Sequence, residues 1–426
     1  MRIYAQAASA SRSKAIRGVI GGFAVVGVTA LVLSGCSSTP AATTPSKSLD
    51  LKIGTILPQT GSLAVLGPPE FAGVHLAAKD INAANAGIKI TVEDKDSGDT
   101  KTNIATQSAT AELADGVSAV VGAASSSVSL SFIDQVTKAK VVQISPANTS
   151  PTFSTYADDG YYWRTAPSDV LQGRVLGQKI LKDGATNVSI LYQNDSYGQG
   201  LNTNVMKSLK AGGATVGQDV AFDPAATTFS SEVTQVLSTK PDALVVISFD
   251  QLKAIAPELK KNNFDFKKFY GTDGNYGVIT PAYTDVDTAG AQYTNPGVNA
   301  SSDFQSKLQA LVKSEGGKPL TVFSYAPEAY DATVLLALAA LQGKKTDGTT
   351  IRDNLRSVSE EGTKCTTFGE CAKLINAGKK VNYDGLSGPI TFDKNGDPSQ
   401  AYISIYKYAT GNTNSYVSKE FGDLNK

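Results

Sequence analysis

The sequence predicts an α/β protein built of two Rossmann-like lobes, each with a parallel central sheet. Short β-branched apolar runs alternate with segments of helical period along most of the chain, which is the pattern of repeated β-α-β units. The alternation runs from residue 51 to residue 151 and starts again near Ser168, which indicates two lobes. The chain has 426 residues, of which 41% are hydrophobic, so it is long enough to bury two cores.

The composition excludes several classes of function. The 39 basic and 39 acidic residues balance, so no basic field favours nucleic acid, and no nucleic-acid partner is expected. His75 is the single histidine, which rules out a metal site with several histidine ligands. It falls in a predicted surface helix and is expected to be structural. We expect neither a metal nor a cofactor.

The first 36 residues are expected to be a lipoprotein signal peptide. Basic residues precede an apolar run from Val19 to Leu33, which is short for a membrane span and has the layout of a secretory signal. The run ends in Leu33-Ser-Gly-Cys36, which looks like a bacterial lipobox. Lipidation of Cys36 would anchor the mature protein to the extracytoplasmic face of the cell membrane, and a spanning anchor is the alternative. Residues 37–50, rich in Ser, Thr, Pro and Ala, are interpreted as a flexible tether.

The predicted first lobe opens with two β-α pairs whose strands end in polar loops. Pro58 to Ser62 is a turn-rich loop after the first strand. Asp94 to Asp99 resembles a calcium loop, but its glycine stands one place early and Ala105 occupies the position of the required Glu. We therefore interpret it as a turn at a strand end. The predicted elements are strand Leu51 to Leu57, helix Glu70 to Ala84, strand Ile88 to Glu93 and helix Thr102 to Ala114.

The stretch from Val117 to Pro151 carries a signal for ligand binding. Its pattern predicts a strand from Val117 to Val121, a helix that ends at Lys138, and a strand from Val141 to Ile144. Ligands of open α/β sheets bind outside the carboxyl ends of the strands, and the serines that begin this helix lie there, at Ser125, Ser126 and Ser127. Hydroxyls and free backbone N–H groups at a helix start favour an anion, most simply a carboxylate. The alternative is that these serines only cap the helix.

The same alternation predicts the second lobe. A short extended piece, Tyr161 to Thr165, precedes Ser168, which is expected to cap a helix. A Gly-rich segment, Phe269 to Gly277, closes this lobe. The predicted elements are helix Ser168 to Leu181, strand Val188 to Tyr192, helix Gly200 to Ala211, strand Val216 to Phe222, helix Phe229 to Leu237, strand Ala243 to Phe249 and helix Leu252 to Lys261.

The last third of the chain predicts additions to these lobes. Two helices are expected, Phe304 to Ser314 and Glu328 to Gln342, and the second is rich in Ala and Leu and therefore mostly buried. Ser387 to Phe392 and Ala401 to Tyr408 are interpreted as a terminal hairpin.

Cys365 and Cys371 are the two cysteines that follow Cys36. If the protein is exported, it sits in a compartment that permits disulfides, so a bridge between them is expected. Two free thiols are the alternative, and no histidine lies nearby to complete a metal site.

With these residues in view, the chain resembles the branched-chain amino-acid-binding (Leu/Ile/Val-binding) family of ABC transporter substrate-binding lipoproteins, which have the type I periplasmic binding protein fold. The resemblance covers about Leu51 to Tyr408, and it rests on the order of several motifs more than on any one of them. These motifs are Ile53 to Gly61, Ile144 to Thr149, Arg164 to Asp169, Tyr197-Gly198, Ala329 to Ala332 and Gly388 to Asp393.

The resemblance implies how the lobes are arranged. A three-stranded hinge would join an N-terminal lobe, residues 51–166 plus 297–403, to a C-terminal lobe, residues 167–296 plus 404–426, and a ligand would be trapped between them. It also implies a set of ligand-binding residues, with Asp273 as the acidic partner of the ligand's ammonium group: Ser125, Ser126, Ser127, Ala147, Asn148, Thr149, Tyr197, Phe249 and Asp273. The loop from Gln59 to Leu66 would line the pocket for the ligand's side chain.

Plain structural roles are the alternatives for three of these residues. Tyr197 could pack the lobes together, Phe249 could belong to a core, and Asp273 could be a turn residue in a Gly-rich loop.

The expected function is that of a monomeric receptor for an ABC importer, which hands a small amino acid or related solute to permease subunits. A receptor for an amide, a urea or an aromatic acid on the same fold, or a sensor ectodomain, is the alternative. No enzyme is expected, since the sequence contains no G-x-S-x-G elbow, Walker loop or H-E-x-x-H motif. A hydrolase that acts without histidine stays open.

Overall fold

The computed structural model describes residues 48–424. The predicted signal peptide, Cys36 and the tether up to residue 47 lie outside the described residues, as do the last two residues. Within residues 48–424, no helix has both the length and the apolar character needed to cross a bilayer.

Strands and helices alternate through the first three quarters of this range, as the sequence predicts. The strands are β1 Leu49–Leu57, β2 Ile88–Asp96, β3 Ala119–Gly122, β4 Val142–Ser145, β5 Tyr162–Arg164, β6 Asn187–Gln193, β7 Thr215–Phe222, β8 Ala243–Ile247, β9 Phe269–Gly271, β10 Gln292–Pro296, β11 Thr363–Cys365, β12 Val381–Gly385, β13 Gly388–Pro389, β14 Gln400–Ala409 and β15 Thr413–Asp423. The helices are α1 Gly67–Ala84, α2 Ile104–Ala114, α3 Ser126–Lys138, α4 Asp169–Lys182, α5 Ser196–Ala211, α6 Ser230–Leu237, α7 Leu252–Lys261, α8 Ser302–Ser314, α9 Ala326–Gly343, α10 Gly348–Leu355, α11 Ser357–Glu360 and α12 Phe368–Asn376.

The first sheet has five parallel strands in the order β2-β1-β3-β4-β5. Its strands β3 and β4 are buried on both faces because helices cover both. Ile53 and Val121 pack on one face in a core shared with α1 and α9, whereas Ile56 and Val120 pack on the other face with residues of α2 and α3. Helices α1 and α9 lie so close that a Cβ atom added at Gly73 would be 2.4 Å from the carbonyl oxygen of Ala326.

The second sheet has seven strands in the order β15-β14-β10-β9-β8-β6-β7. Strands β6 to β10 run parallel, and β14 and β15 add antiparallel at one side. Residues of α4 and α5 pack on one face with Ile190 and Val245, and residues of α6 and α7 pack on the other with Leu191 and Val246. Each sheet, with the helices on its two faces, therefore forms one of two α/β lobes, as the sequence predicts.

The chain passes from one sheet to the other three times. The first passage follows β5 and leads to the second sheet. The second follows β10, since α8 and α9 pack with the core of the first sheet. The third follows β13, since β14 pairs in the second sheet. All of β14 pairs in the second sheet, so residues 400–403, predicted to belong to the N-terminal lobe, pair with the other sheet.

The two segments predicted to form a terminal hairpin, Ser387 to Phe392 and Ala401 to Tyr408, do not pair with each other as strands. Gly388 pairs with Gly385 in the short β12–β13 hairpin, whereas β14 pairs with β15 across a tight turn. Strand β15 consists largely of polar, exposed residues, so it carries no apolar alternation that could predict it. A disulfide joins Cys365, at the end of β11, to Cys371 in α12.

Candidate functional site

The carboxyl ends of both sheets meet at a narrow cavity. The loops after β1, β2 and β3 face the loops after β6, β7 and β8, as expected for ligand sites of open α/β sheets. The cavity has a volume of about 10 Å³, roughly the space that one water molecule needs. A larger solute can enter only if the two sheet edges separate. The lining residues are Pro58, Ser62, Leu63, Ser97, Gly98, Asp99, Thr100, Lys101, Ser125, Asp195, Pro224 and Phe249.

The three serines at the start of α3 have different environments. Ser125 is the N-cap residue, but its side chain accepts no capping hydrogen bond, and its buried hydroxyl oxygen has no partner. Ser126 Oγ accepts a hydrogen bond from the backbone N–H of Ser150 at 3.3 Å. Ser127 Oγ donates to Asp195 Oδ2 at 3.2 Å and accepts from the N–H of Ser196 at 3.1 Å. Ser125 therefore offers a free hydroxyl beside the first N–H groups of the helix.

The loop after β4 contains Ala147, Asn148 and Thr149, all buried. The Asn148 amide donates to the carbonyl oxygens of Ala123 at 2.9 Å and Ala124 at 2.8 Å, and it accepts from Tyr162 at 3.0 Å. These bonds tie the loop after β4 to the loop after β3. Thr149 differs, because its hydroxyl oxygen is buried without a hydrogen-bond partner.

Asp273 follows β9 and lies at the centre of a buried hydrogen-bond network. Its Oδ1 accepts from Gln172 Nε2 at 2.8 Å and from the Tyr197 hydroxyl at 2.9 Å, and its Oδ2 accepts from the Tyr325 hydroxyl at 2.7 Å. A carboxylate has about four acceptor positions, so three are taken and about one remains. Burial raises the pKa of Asp273, and these three donors oppose the rise.

Asp169, which the sequence analysis did not select, is a second buried carboxyl group in the same region. It is fully buried, and neither of its oxygens has a partner within hydrogen-bond geometry. Its pKa is raised well above the usual value, first by burial and then by the charge of Asp273, while the facing hydroxyl of Thr149 opposes the rise. In the sequence it ends the motif from Arg164 to Asp169 and falls in the first turn of a helix, where acidic residues are common.

The charge of the neighbouring Arg164 lowers the pKa of Asp169, but its guanidinium group is bound to another carboxylate. Arg164 Nε and Nη2 bind Asp397 at 2.6 and 2.9 Å, and its Nη1 donates to the carbonyl oxygen of Ser150 at 2.8 Å. Two carboxyl groups that interact in a buried site cannot both ionise readily. Burial and the charge of Asp273 therefore favour the protonated form of Asp169 unless a cation lies beside it.

The two sheet edges also share an apolar wall. The Tyr197 and Phe249 rings stack with centroids 5.4 Å apart and an interplanar angle of 16°. Both belong to an apolar cluster that includes residues from the first sheet's loops, namely Leu63, Leu66, Ala124 and Ala147. Tyr197 thus packs in this wall and also binds Asp273 through its hydroxyl, so the two interpretations of this residue are compatible.

Direct hydrogen bonds hold the facing loops together. Besides the contacts of Ser127 with the Asp195–Ser196 turn, Ser150 Oγ donates to the carbonyl oxygen of Ser196 at 3.0 Å. The backbone N–H of Asp250 donates to the carbonyl oxygen of Ser62 at 3.2 Å. Asp195 also caps α5 through Gly198 N–H, so this helix starts four residues earlier than predicted.

A separate acidic group lies on the first sheet, where the oxygens of Glu93, Glu112 and Asp115 come within 4.8 Å of one another. Lys52 Nζ is 2.6 Å from Glu93, and Lys95 Nζ is 3.4 Å from Asp115. Burial raises the pKa of Glu112 to about 7. The two ammonium groups lie beside Glu93 and Asp115, and burial favours the neutral form of Glu112.

The fold has counterparts among known proteins. Residues 50–412 match the family described as Periplasmic binding protein. The chain belongs to the periplasmic binding protein family.

Relatives with curated names and solved structures agree with this assignment. The leucine-specific-binding protein of Salmonella typhimurium is 27% identical over 373 residues, which cover 84% of this chain and 91% of the relative. The branched-chain amino acid transporter substrate binding protein LivJ from Streptococcus pneumoniae, solved with isoleucine, is 24% identical with a TM-score of 0.68, covering 88% of this chain and 99% of that one.

A second similar structure was solved with a different solute. A solute binding protein of an ABC transporter from R. palustris, solved with 4-hydroxybenzoate, has a TM-score of 0.68 at 16% identity, covering 88% of this chain and 98% of that one. These structural likenesses establish the type I periplasmic binding protein fold. The family binds solutes outside the cytoplasm and is not enzymatic, so this periplasmic binding protein is a solute-binding protein.

Proposed function

We propose that this periplasmic binding protein is the lipid-anchored receptor of an ABC importer and binds a small α-amino acid of branched-chain type between its two sheets. The observation that carries the proposal is the buried pair Asp169 and Asp273, which lies in the region where the two sheet edges meet and whose neighbouring cation, Arg164, is bound to Asp397. A solute with an ammonium group would supply that cation.

The proposed position of the ammonium group follows from the acceptors. A buried ammonium is costly unless it is paired, and a charge-assisted hydrogen bond to Asp273 would offset that cost. Asp273 has about one acceptor position left, and the unpartnered Thr149 hydroxyl and Asp169 carboxyl can supply further acceptors.

The proposed position of the solute's carboxylate is the start of α3. The unpartnered Ser125 hydroxyl can donate to it, and the first N–H groups of a helix favour an anion there. Ser126 and Ser127 hold the neighbouring loops through their own hydrogen bonds. Asn148 is engaged within the protein, so we assign it to the support of this site.

The apolar wall supports a nonpolar side chain in the solute. Leu63, Leu66, Ala147 and Phe249 present carbon atoms and no ionisable group. An aliphatic side chain of branched-chain size would remove apolar surface from water there, at about 25 cal/mol for each Å² buried.

An aromatic acid is the second candidate solute, since the R. palustris neighbour was solved with 4-hydroxybenzoate. The stacked Tyr197 and Phe249 rings could pack against an aromatic ring. An aromatic carboxylate could occupy the same position at the start of α3, but it would bring no ammonium group to balance the charge of Asp169 and Asp273. The missing countercharge favours the amino acid.

The cellular part of the proposal rests on the sequence. The lipobox supports lipidation at Cys36, the segment 37–50 supports a flexible tether, and the family supports permease subunits of an ABC transporter as partners of a monomeric receptor. Stable anchoring needs more than one acyl chain, because one alone binds a membrane only marginally.

Thermal melting against a panel of solutes tests the proposal. Leucine, isoleucine or valine at 100 times its dissociation constant should add about 2.7 kcal/mol to the free energy of unfolding. The matched controls are the corresponding 2-hydroxy acid and amine, each of which lacks one of the two head groups. No stabilisation by any amino acid, together with stabilisation by a benzoate, would replace the amino-acid assignment with the aromatic one.

A further inference from the structure

The carboxylate of Asp96, the last residue of β2, accepts four hydrogen bonds from two neighbouring loops. Its Oδ1 accepts from the backbone N–H groups of Gln59 at 2.9 Å, Thr60 at 3.1 Å and Gly98 at 2.9 Å. Its Oδ2 accepts from the Thr60 hydroxyl at 2.5 Å. Partial burial opposes ionisation, but the bonds from Thr60, Gly98 and Gln59 lower the pKa of Asp96, so it is a carboxylate at neutral pH.

The segment held by Asp96 forms one wall of the cavity. Pro58, Ser62 and Leu63 line the cavity, and Leu63 and Leu66 pack in the apolar wall with Phe249. The Ser62 carbonyl oxygen also accepts the bond from Asp250 on the second sheet. This loop therefore contacts both the proposed side-chain pocket and the facing sheet edge.

The other backbone hydrogen bonds near the first turn of this loop do not join it to β2. The backbone bonds from Ala64 to Gly61 and from Leu66 to Leu63 are turns within the loop itself. Gly61 has φ +93° and lies against Asp99, where a Cβ atom would be 2.9 Å from the Asp99 Cβ. The loop from Gln59 to Gly61 is thus fixed to the end of β2 mainly through the Asp96 carboxylate.

We propose that Asp96 is a positioning residue that sets the side-chain selectivity of the site by holding the loop from Gln59 to Leu66. This inference rests on the proposed amino-acid function. Asp96 contacts the loop and not the cavity, so its loss should change how well the pocket fits a side chain. The head-group contacts of Ser125, Thr149 and Asp273 lie on other loops and should be unaffected.

The test compares Asp96→Asn with a matched control, Asp242→Asn. Asp242 makes the same kind of contact at the opposite end of the second sheet, where its Oδ2 accepts from Thr186 N at 3.1 Å, Thr186 Oγ1 at 3.0 Å and Asn187 N at 3.1 Å. Both variants lose a charged acceptor at a loop junction, but only the Asp96 variant should alter selectivity. The second variant is Thr60→Val, which removes one bond and leaves Asp96 in place.

The measurement is calorimetric titration of the mature chain with leucine and with alanine, which share a head group. Asp96→Asn should lower the ratio of leucine to alanine affinity about tenfold, which is about 1.4 kcal/mol, and Thr60→Val should lower it in the same direction. Asp242→Asn should leave the ratio at the wild-type value. Equal weakening of both ligands, or an unchanged ratio in both loop variants, would overturn the inference. A wild-type protein that binds neither amino acid would instead refute the proposed function.

Discussion

Replacing Asp273 with alanine is expected to weaken binding of the best amino acid about a hundredfold. Asp273 has about one acceptor position free for an ammonium group, since Gln172, Tyr197 and Tyr325 occupy the others. A hydrogen bond to a charged group contributes about 1.5–3 kcal/mol, and the upper end applies because Asp273 is only 4% exposed. At about 1.4 kcal/mol for each tenfold change, 3 kcal/mol corresponds to about a hundredfold loss.

The loss should not be total, because Asp169 remains. Once Asp273 is gone, the like charge that raises the pKa of Asp169 is also gone, so Asp169 ionises more readily and can pair with the ammonium group. The double variant Asp169→Asn with Asp273→Ala should therefore bind more weakly than either single variant. Ser125→Ala should cost about 1 kcal/mol, since it removes one neutral hydroxyl donor while the backbone N–H groups remain.

Calorimetric titration of each variant with the best ligand from the melting screen measures these losses. Tyr325→Phe is the control for the network, because it removes one neutral donor to Asp273 and keeps the carboxylate charge. If Asp273→Ala binds like the wild type, the solute has no ammonium group at this position, and the amino-acid assignment falls. If Tyr325→Phe weakens binding as strongly as Asp273→Ala, the effect comes from the network's structure and not from the charge.

The remaining predictions concern pH, anchoring, the disulfide and closure. Folding raises the pKa of Asp169 and Asp273, so their contribution to the free energy of unfolding is fully present below the unfolded pKa and is lost as pH rises through the folded pKa. An ammonium ligand favours the ionised pair, so affinity should fall as pH is lowered through the same window, and titrations in buffers of different ionisation enthalpy should detect proton release. Proton uptake would contradict this. Mass spectrometry should find a lipidated Cys36, and Cys36→Ala should leave the membrane fraction; unmodified soluble wild-type protein is the contrary result. Thiol labelling of the unreduced, denatured protein should find neither Cys365 nor Cys371, whose short loop is expected to add at most about 2–3 kcal/mol; full labelling of both would show that they are not bridged. Small-angle scattering should give a smaller radius of gyration with ligand than without, whereas an unchanged radius at saturation would argue against an opening cleft.

The sequence determined the α/β class and most elements, because strand and helix periods are local properties. Strand β3, helix α3 and strand β4 could be predicted from apolar runs of five or fewer residues on each side of an amphipathic segment. Ser125 could be placed at the carboxyl edge of a sheet, since parallel strands bring their carboxyl ends to one side. The order of motifs also indicated the family, to which the chain belongs.

Only the tertiary structure decided which residues meet. Asp169, Asp273 and Tyr325 lie far apart in the sequence, and their meeting depends on how α4, the turn after β9 and the start of α9 come together. Strand β15 could not be predicted, because its polar residues form a strand only through pairing with β14. Periodicity reports which face of an element is buried, whereas a hydrogen-bond network between elements depends on packing that no local pattern encodes. The apolar strands and helices follow from the sequence for this reason, and the buried carboxyl pair follows only from the fold.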